Sequence, residues 1–148
     1  MKSTIFLATD HAGFELKEKI KAYLIRENYE VQDLGASQYD EYDDYPIYMK
    51  KAGEVVSQNP NNKAIIFGKS GNGEAMVANR YKNVRAAVWY GGSTDIVKLS
   101  REHNNANILS IGAGFVSEEE AEKAIKIWLE TNFNGEERHV RRIAEIDS

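Results

Sequence analysis

The feature that most constrains this chain is a regular alternation of strand-like and helix-like patterns. "STIFLAT" (Ser3 to Thr9) is a short β-rich run, and Leu16, Ile20, Tyr23 and Leu24 follow it at helical spacing. "YEVQDLG" alternates like a strand, and Ile47, Ala52, Val55 and Val56 suit a second helix after Pro46. "KAIIFG" is a buried-strand pattern, followed by a glycine loop and a helix to about Arg80. "VRAAVWY", "STDIVKLSREH" and "NILSIGAG" read as strand, helix and strand. Ala121, Ala124, Ile125, Trp128 and Leu129 then form a helical stripe, and "GEERHVRRIAEI" reads as a charged helix over about 135–147. These spacings fit βαβ crossovers. They predict an α/β chain: a five-stranded parallel sheet with helices on both faces, a Rossmann-like three-layer sandwich. No linker or repeat divides residues 1–148, so one domain is expected.

Charge and composition narrow the function. The net charge of −4 argues against a general nucleic-acid surface, so any bound anion needs a local basic cluster. The chain has no cysteine, which excludes disulfides, thiolate metal sites and thiol nucleophiles. "MKSTIFLATDHAG" is too short an apolar run for a secretory signal, and no segment approaches a membrane span. A cytoplasmic protein without membrane association is the expectation.

In such sheets ligands bind outside the C-terminal ends of the strands. Three segments fall there: "TDHAG", "GKSGNGE" and "SIGAG". The second invites two familiar readings and fits neither. A phosphate-binding P-loop needs glycine where Lys63 stands. A dinucleotide fingerprint starting at Gly71 needs glycine or alanine where Met76 stands. What remains is a loop of backbone amides, Gly71, Asn72 and Gly73, with the Ser70 hydroxyl. It suits an oxyanion. It equally suits a tight strand-to-helix turn capped by Ser70.

Glu74 follows at once. As structure it is an ordinary first-turn glutamate. As chemistry it is a carboxylate base beside donors that can hold a negative oxygen. That pairing is what removal of a proton α to a carbonyl requires. Of the three histidines, His11 follows a strand end and His103 ends a helix before the fifth strand, while His139 lies in the tail. Asp10, beside His11, also suits a helix cap. Arg138 and Arg142 are four apart on one helix face, with Arg141 close by. They suit a phosphate grip. Taken alone they better suit a solvated face paired with Glu136, Glu137 and Glu145. The acidic loop "YDEYDD" has no histidine near it in sequence and reads as a solvated turn rather than a metal site.

These residues resemble the ribose-5-phosphate isomerase B family, which includes galactose-6-phosphate isomerase subunits. The resemblance rests on "TDHAGFELK", "DDYPIY", "GKSGNGEAMVANR", "VRAAVW", "REHNNANILSIG" and "RHVRRI" in that order, nearly end to end. It implies a Rossmann-like homodimer or higher oligomer with sites at the subunit interface. It also implies no metal or organic cofactor, and an aldose–ketose isomerisation of a sugar phosphate. Asp10 and His11 are then expected at the sugar's ring oxygen and hydroxyls, and His103 at ring opening. Ser70 with the amides of Gly71 to Gly73 would stabilise the enediolate. Arg138, His139 and Arg142 would bind phosphate from the neighbouring subunit. One branch of the family has a cysteine base at the position of Gly68; this chain resembles the other, with Glu74 as base.

One departure concerns the phosphate. The family's usual arginine after the fifth strand is matched here by Gly114, and Lys69 stands where a small residue is usual. Lys69 is the expected substitute charge. Ribose 5-phosphate is the expected substrate. A six-carbon sugar phosphate, or non-catalytic binding on the same fold, are the alternatives.

Overall fold

The computed structural model describes residues 2–148. Five parallel strands form one sheet in the order β2-β1-β3-β5-β4. They are β1 (Lys2–Thr9), β2 (Tyr29–Asp33), β3 (Lys63–Gly68), β4 (Ala86–Trp89) and β5 (Ile108–Gly112). The helices are α1 (Phe14–Arg26), α2 (Pro46–Gln58), α3 (Asn72–Ala78), α4 (Asp95–Glu102), α5 (Glu118–Glu130) and α6 (Glu137–Ile146). Among the described residues no helix is long and apolar enough to cross a membrane.

Because successive strand side chains point to opposite faces, β1 feeds two cores. Ile5 and Leu7 join Ile20 and Leu24 of α1, Val97 of α4 and Ala121, Ile125 and Trp128 of α5. Phe6 and Ala8 join Met49, Ala52 and Val56 of α2 and Ala78 of α3 on the other face. The three-layer α/β sandwich expected from the sequence is the fold observed. α5 is started by a capping box between Ser117 and Glu120 and buries Ala121, Ala124, Ile125 and Trp128 of the stripe read from the sequence, with Leu129 half-buried.

Two helices depart from their reading. α2 buries Met49, Ala52, Gly53 and Val56, and Ile47 is 62% exposed. Ile47 follows the N-terminal proline and lies off the stripe that Gly53 completes. Gly53 is needed there because the Tyr81 ring lies against its Cα. α3 ends at Ala78 rather than near Arg80. The Asn79 side chain then takes over, bonding both backbone groups of Ala86 at 2.8 and 3.1 Å.

The order of the strands sets the site. From β1 the chain moves outward to β2, then crosses to β3 on the other side. The loops after β1 and β3 therefore part from each other at a topological switch point, where open α/β sheets bind ligands.

Candidate active site

At that switch point Asp10 ends β1, and its Oδ1 accepts from the Ala12 amide at 3.0 Å, capping a single 3₁₀ turn at His11–Gly13. The cap and the site thus fall on the same carboxylate. It is 6% exposed, and burial is the main cause that raises its pKa; Ala12 and His11 oppose the rise, and Asp43 adds to it.

After β3 the chain turns through Lys69, Ser70 and Gly71. Gly71 has φ +85°, the left-handed region that favours glycine, and so opens α3. The loop rests on the end of β5, where the buried Ser110 hydroxyl donates to the Gly71 carbonyl at 2.7 Å. Gly112 is required beneath it, because a Cβ there would sit 2.5 Å from the Ser70 carbonyl oxygen. The Ser70 hydroxyl accepts from the Asn72 amide at 3.2 Å. Ser70 therefore caps the turn while remaining half-buried at its mouth.

Glu74 folds back from α3 over β3. It is 6% exposed. A Cβ built on Gly68 would lie 2.1–2.3 Å from its carboxyl carbon and both oxygens, so the carboxylate occupies the space a residue-68 side chain would fill. Burial raises the Glu74 pKa, and the Asp10 charge adds to it; the amides of Glu74 and Gly71 oppose the rise. A carboxyl so placed is a better base than an exposed one.

The acidic loop differs from its reading as a solvated turn. The Asp43 side chain is 7% exposed, and its Oδ1 lies 2.7 Å from His11 Nδ1 and 3.0 Å from the His11 amide. The missing histidine is 32 residues away in sequence and adjacent in space. Asp10, His11 and Asp43 gather polar atoms within 4.8 Å of one another. The contact between His11 and Asp43 is a hydrogen bond, and the Asp10 carboxylate that caps the turn lies beside it. Tyr45, from the same loop, packs its ring and hydroxyl on the Cα of Gly73.

The remaining candidates lie elsewhere in the same chain. α4 leaves the C-terminal end of β4 and returns to start β5, so His103, its C-cap, lies at the N-terminal edge of the sheet. There the His139 ring stacks on it, with centroids 4.3 Å apart and planes 16° from parallel. Arg142, Ile143 and Ile146 line the same cavity. His139 is buried and its Nε2 has no hydrogen-bond partner; burial and the neighbouring His103, Arg138 and Arg142 hold its pKa down, against Glu136. Arg138 pairs with Glu136, and Arg141 with Glu137 at 2.7 Å, as a solvated face would. Arg142 makes no ion pair among the described residues. The structure thus collects Asp10, His11, Lys69, Ser70, Gly71, Asn72, Gly73 and Glu74 at one end of the sheet and His103, Arg138, His139 and Arg142 at the other. Between the ends lies a strand such as β5, five residues long, or about 17 Å at roughly 3.3 Å per residue.

α6 itself buries only His139, and leaves Val140 50% and Ile146 58% exposed. Just after the helix, Asp147 accepts from the Asn83 amide at 2.7 Å.

Known proteins resemble this chain in sequence and fold. A family profile described as Ribose/Galactose Isomerase matches residues 5–146. Ribose-5-phosphate isomerase B of Mycolicibacterium paratuberculosis is 37% identical over 139 residues, covering 94% of this chain and 86% of its own. The crystal structure of ribose-5-phosphate isomerase B from Mycoplasma genitalium, with bound ribulose-5-phosphate, superposes with a TM-score of 0.92 at 37% identity, covering 99% of this chain and 95% of that one. The Thermotoga maritima ribose 5-phosphate isomerase gives 0.90 at 41% identity, covering 97% of both chains.

Proposed function

The chain belongs to the ribose/galactose isomerase family, and on that premise we propose that it interconverts D-ribose 5-phosphate and D-ribulose 5-phosphate as an aldose–ketose isomerase. The observation that carries the reading is the Glu74 carboxylate, desolvated over Gly68 and beside the Ser70–Gly73 loop. A binding module has no use for a buried base at that point. The relative that superposes at 0.92 holds ribulose-5-phosphate, the product of this reaction.

The chemistry follows from the geometry. With the sugar ring open, Glu74 takes the proton from C2, and the aldehyde oxygen becomes an enediolate oxygen. Ser70 and the amides of Gly71 to Gly73 stabilise that charge. The protonated Glu74 returns its proton to C1. The C2 hydroxyl loses its proton to become the ketone, and the C1 oxygen gains one. A fixed phosphate beside Glu74 would repel the carboxylate, whereas the enediolate faces a neutral acid. The loop therefore serves the transient charge, and the phosphate is held elsewhere.

Arg138, His139 and Arg142 are the groups for that task, and His103 for ring opening. A five-carbon sugar phosphate is too short to reach them from Glu74 of the same chain. The reading therefore requires a second copy to bring its own His103 and α6 to this loop. The exposed α6, with a single buried side chain, suits that role.

The direct test supplies ribose 5-phosphate in deuterated water, with a panel of five- and six-carbon aldose phosphates alongside. Ribulose 5-phosphate carrying solvent deuterium at C1 is expected. Binding without exchange would sink the catalytic reading, and faster turnover of a six-carbon phosphate would move the substrate.

A second expectation separates five- from six-carbon specificity. The Lys69 stem lies across Gly114, so that a Cβ at 114 would meet its Cε at 3.0 Å and its Cδ at 3.1 Å. Lys69 occupies the space in front of the position where relatives carry an arginine. If it replaces that charge, Lys69→Ala should raise KM for ribose 5-phosphate about tenfold or more, the worth of one charge-assisted bond. Gly114→Arg should then restore the variant, because removing the stem makes room. An unchanged KM in Lys69→Ala, with another sugar phosphate preferred, would refute the replacement.

A further inference from the structure

His11 is held from two sides by one segment, the loop between β2 and α2. Asp43 Oδ1 binds its backbone amide and its ring Nδ1 together. The Tyr39 ring meets it edge-on, centroids 6.2 Å apart at 87°. The ring cannot turn without breaking its bond to the same oxygen that holds its main chain. With Nδ1 engaged, Nε2 is the ring nitrogen left for a ligand, and the side chain is 33% exposed.

The second oxygen of Asp43 is less comfortable. Oδ2 is buried without a hydrogen-bond partner. A buried, half-satisfied carboxylate is a costly way to anchor a loop. A neutral asparagine oxygen could accept the same amide. What asparagine cannot supply is the charge against the imidazole.

We propose that Asp43 is a positioning residue for the isomerisation: it locks His11 in the tautomer with Nδ1–H toward Asp43 and Nε2 toward the sugar. The proposal uses the sugar-phosphate reading for the substrate and stands on geometry for the clamp. The charged groups facing the ring are Asp43 and Asp40 from the loop and Asp10 from the end of β1, all acids. Together they favour the imidazolium, against the burial that opposes it. In the neutral ring this clamp leaves Nε2 an acceptor, and in the imidazolium it leaves Nε2 a donor aimed at the sugar. Asp43 acts through His11 and needs no contact with the substrate.

The test begins with the substrate-free protein. Three histidines make the ring signals assignable by single substitutions. Ring ¹⁵N shifts should show neutral His11 protonated at Nδ1, and the opposite tautomer would overturn the clamp before any variant is made. In Asp43→Asn the His11 titration midpoint should fall, because the charged hydrogen bond that holds it up is lost. Its kcat/KM should drop about 10–100-fold. The deficit should shrink as pH is lowered and His11 is recharged. In a His11→Gln background the same substitution should cost nothing further. An unmoved His11 midpoint, a deficit independent of pH, or a full loss in the His11→Gln background would each refute the assignment. A correct tautomer in a protein that isomerises nothing would instead fault the substrate reading.

Discussion

Glu74→Gln should lower kcat for ribose 5-phosphate by about 10²–10⁴, the range for loss of a positioned general base, and leave KM little changed. Glutamine keeps the shape and hydrogen-bonding reach of the side chain and removes only its capacity to take the C2 proton. Steady-state assays with solvent deuterium exchange separate the two effects: exchange should fall with kcat. A variant within threefold of the parent would rule out Glu74 as the base. The burial that raises the Glu74 pKa adds a pH signature. The base works only when ionised, so the acid limb of kcat/KM should begin above the ordinary carboxylate range, and the residual activity of Glu74→Gln should lack that limb. The close approach to Gly68 gives an independent arm. Gly68→Ala keeps the carboxylate but denies it its place, because the added methyl would lie 2.1–2.3 Å from its carbon and oxygens. Loss comparable to Glu74→Gln is expected from one methyl group.

Much of this was legible in the sequence, and the exceptions have a pattern. The strands, the α5 stripe and the glycine loop follow from local periodicity, which a sequence displays directly. Asp43, Tyr45 and Ser110 do not. Asp43 meets His11 across 32 residues, and Ser110 meets Gly71 across 39. The loop that carries Asp43 has the composition of a solvated turn, and most of it is exposed. One carboxylate of four turns inward, and nothing local marks which. Lys17 escaped for the same reason. It is fully buried on a helix face read as apolar, satisfied by both oxygens of Asp33 at 2.8 Å and by the Ala36 carbonyl at 2.6 Å. His103 is different, because a usable signal was present. A residue just before a strand in a parallel sheet lies at the N-terminal edge, opposite the loops after β1 and β3. The family resemblance gives it a role in ring opening; the direction of the strand places it at the other end of the sheet within one chain.

That opposition leads to the second large effect. Arg138→Ala/Arg142→Ala should lower kcat/KM by about 10²–10⁴, two charge-assisted contacts to phosphate at roughly 1.5–3 kcal/mol each. Both this variant and Glu74→Gln should be nearly inactive alone. If each site takes its base from one chain and its arginines from the other, mixing them restores function. In a two-fold dimer the mixed species has one site with both defects and one with none. Random exchange of equal amounts makes half the dimers mixed, so activity should recover to about a quarter of the parent. If the arginines serve their own chain, every site in every dimer keeps one defect and nothing recovers. Subunit exchange, followed independently with differently tagged chains, distinguishes that outcome from a failure to mix. The arginines stand about one strand length from Glu74 in the same chain, so recovery is the expected result. Its absence under proven exchange would return α6 to the role of a solvated helix, and the phosphate would need another partner, with Lys69 the first candidate.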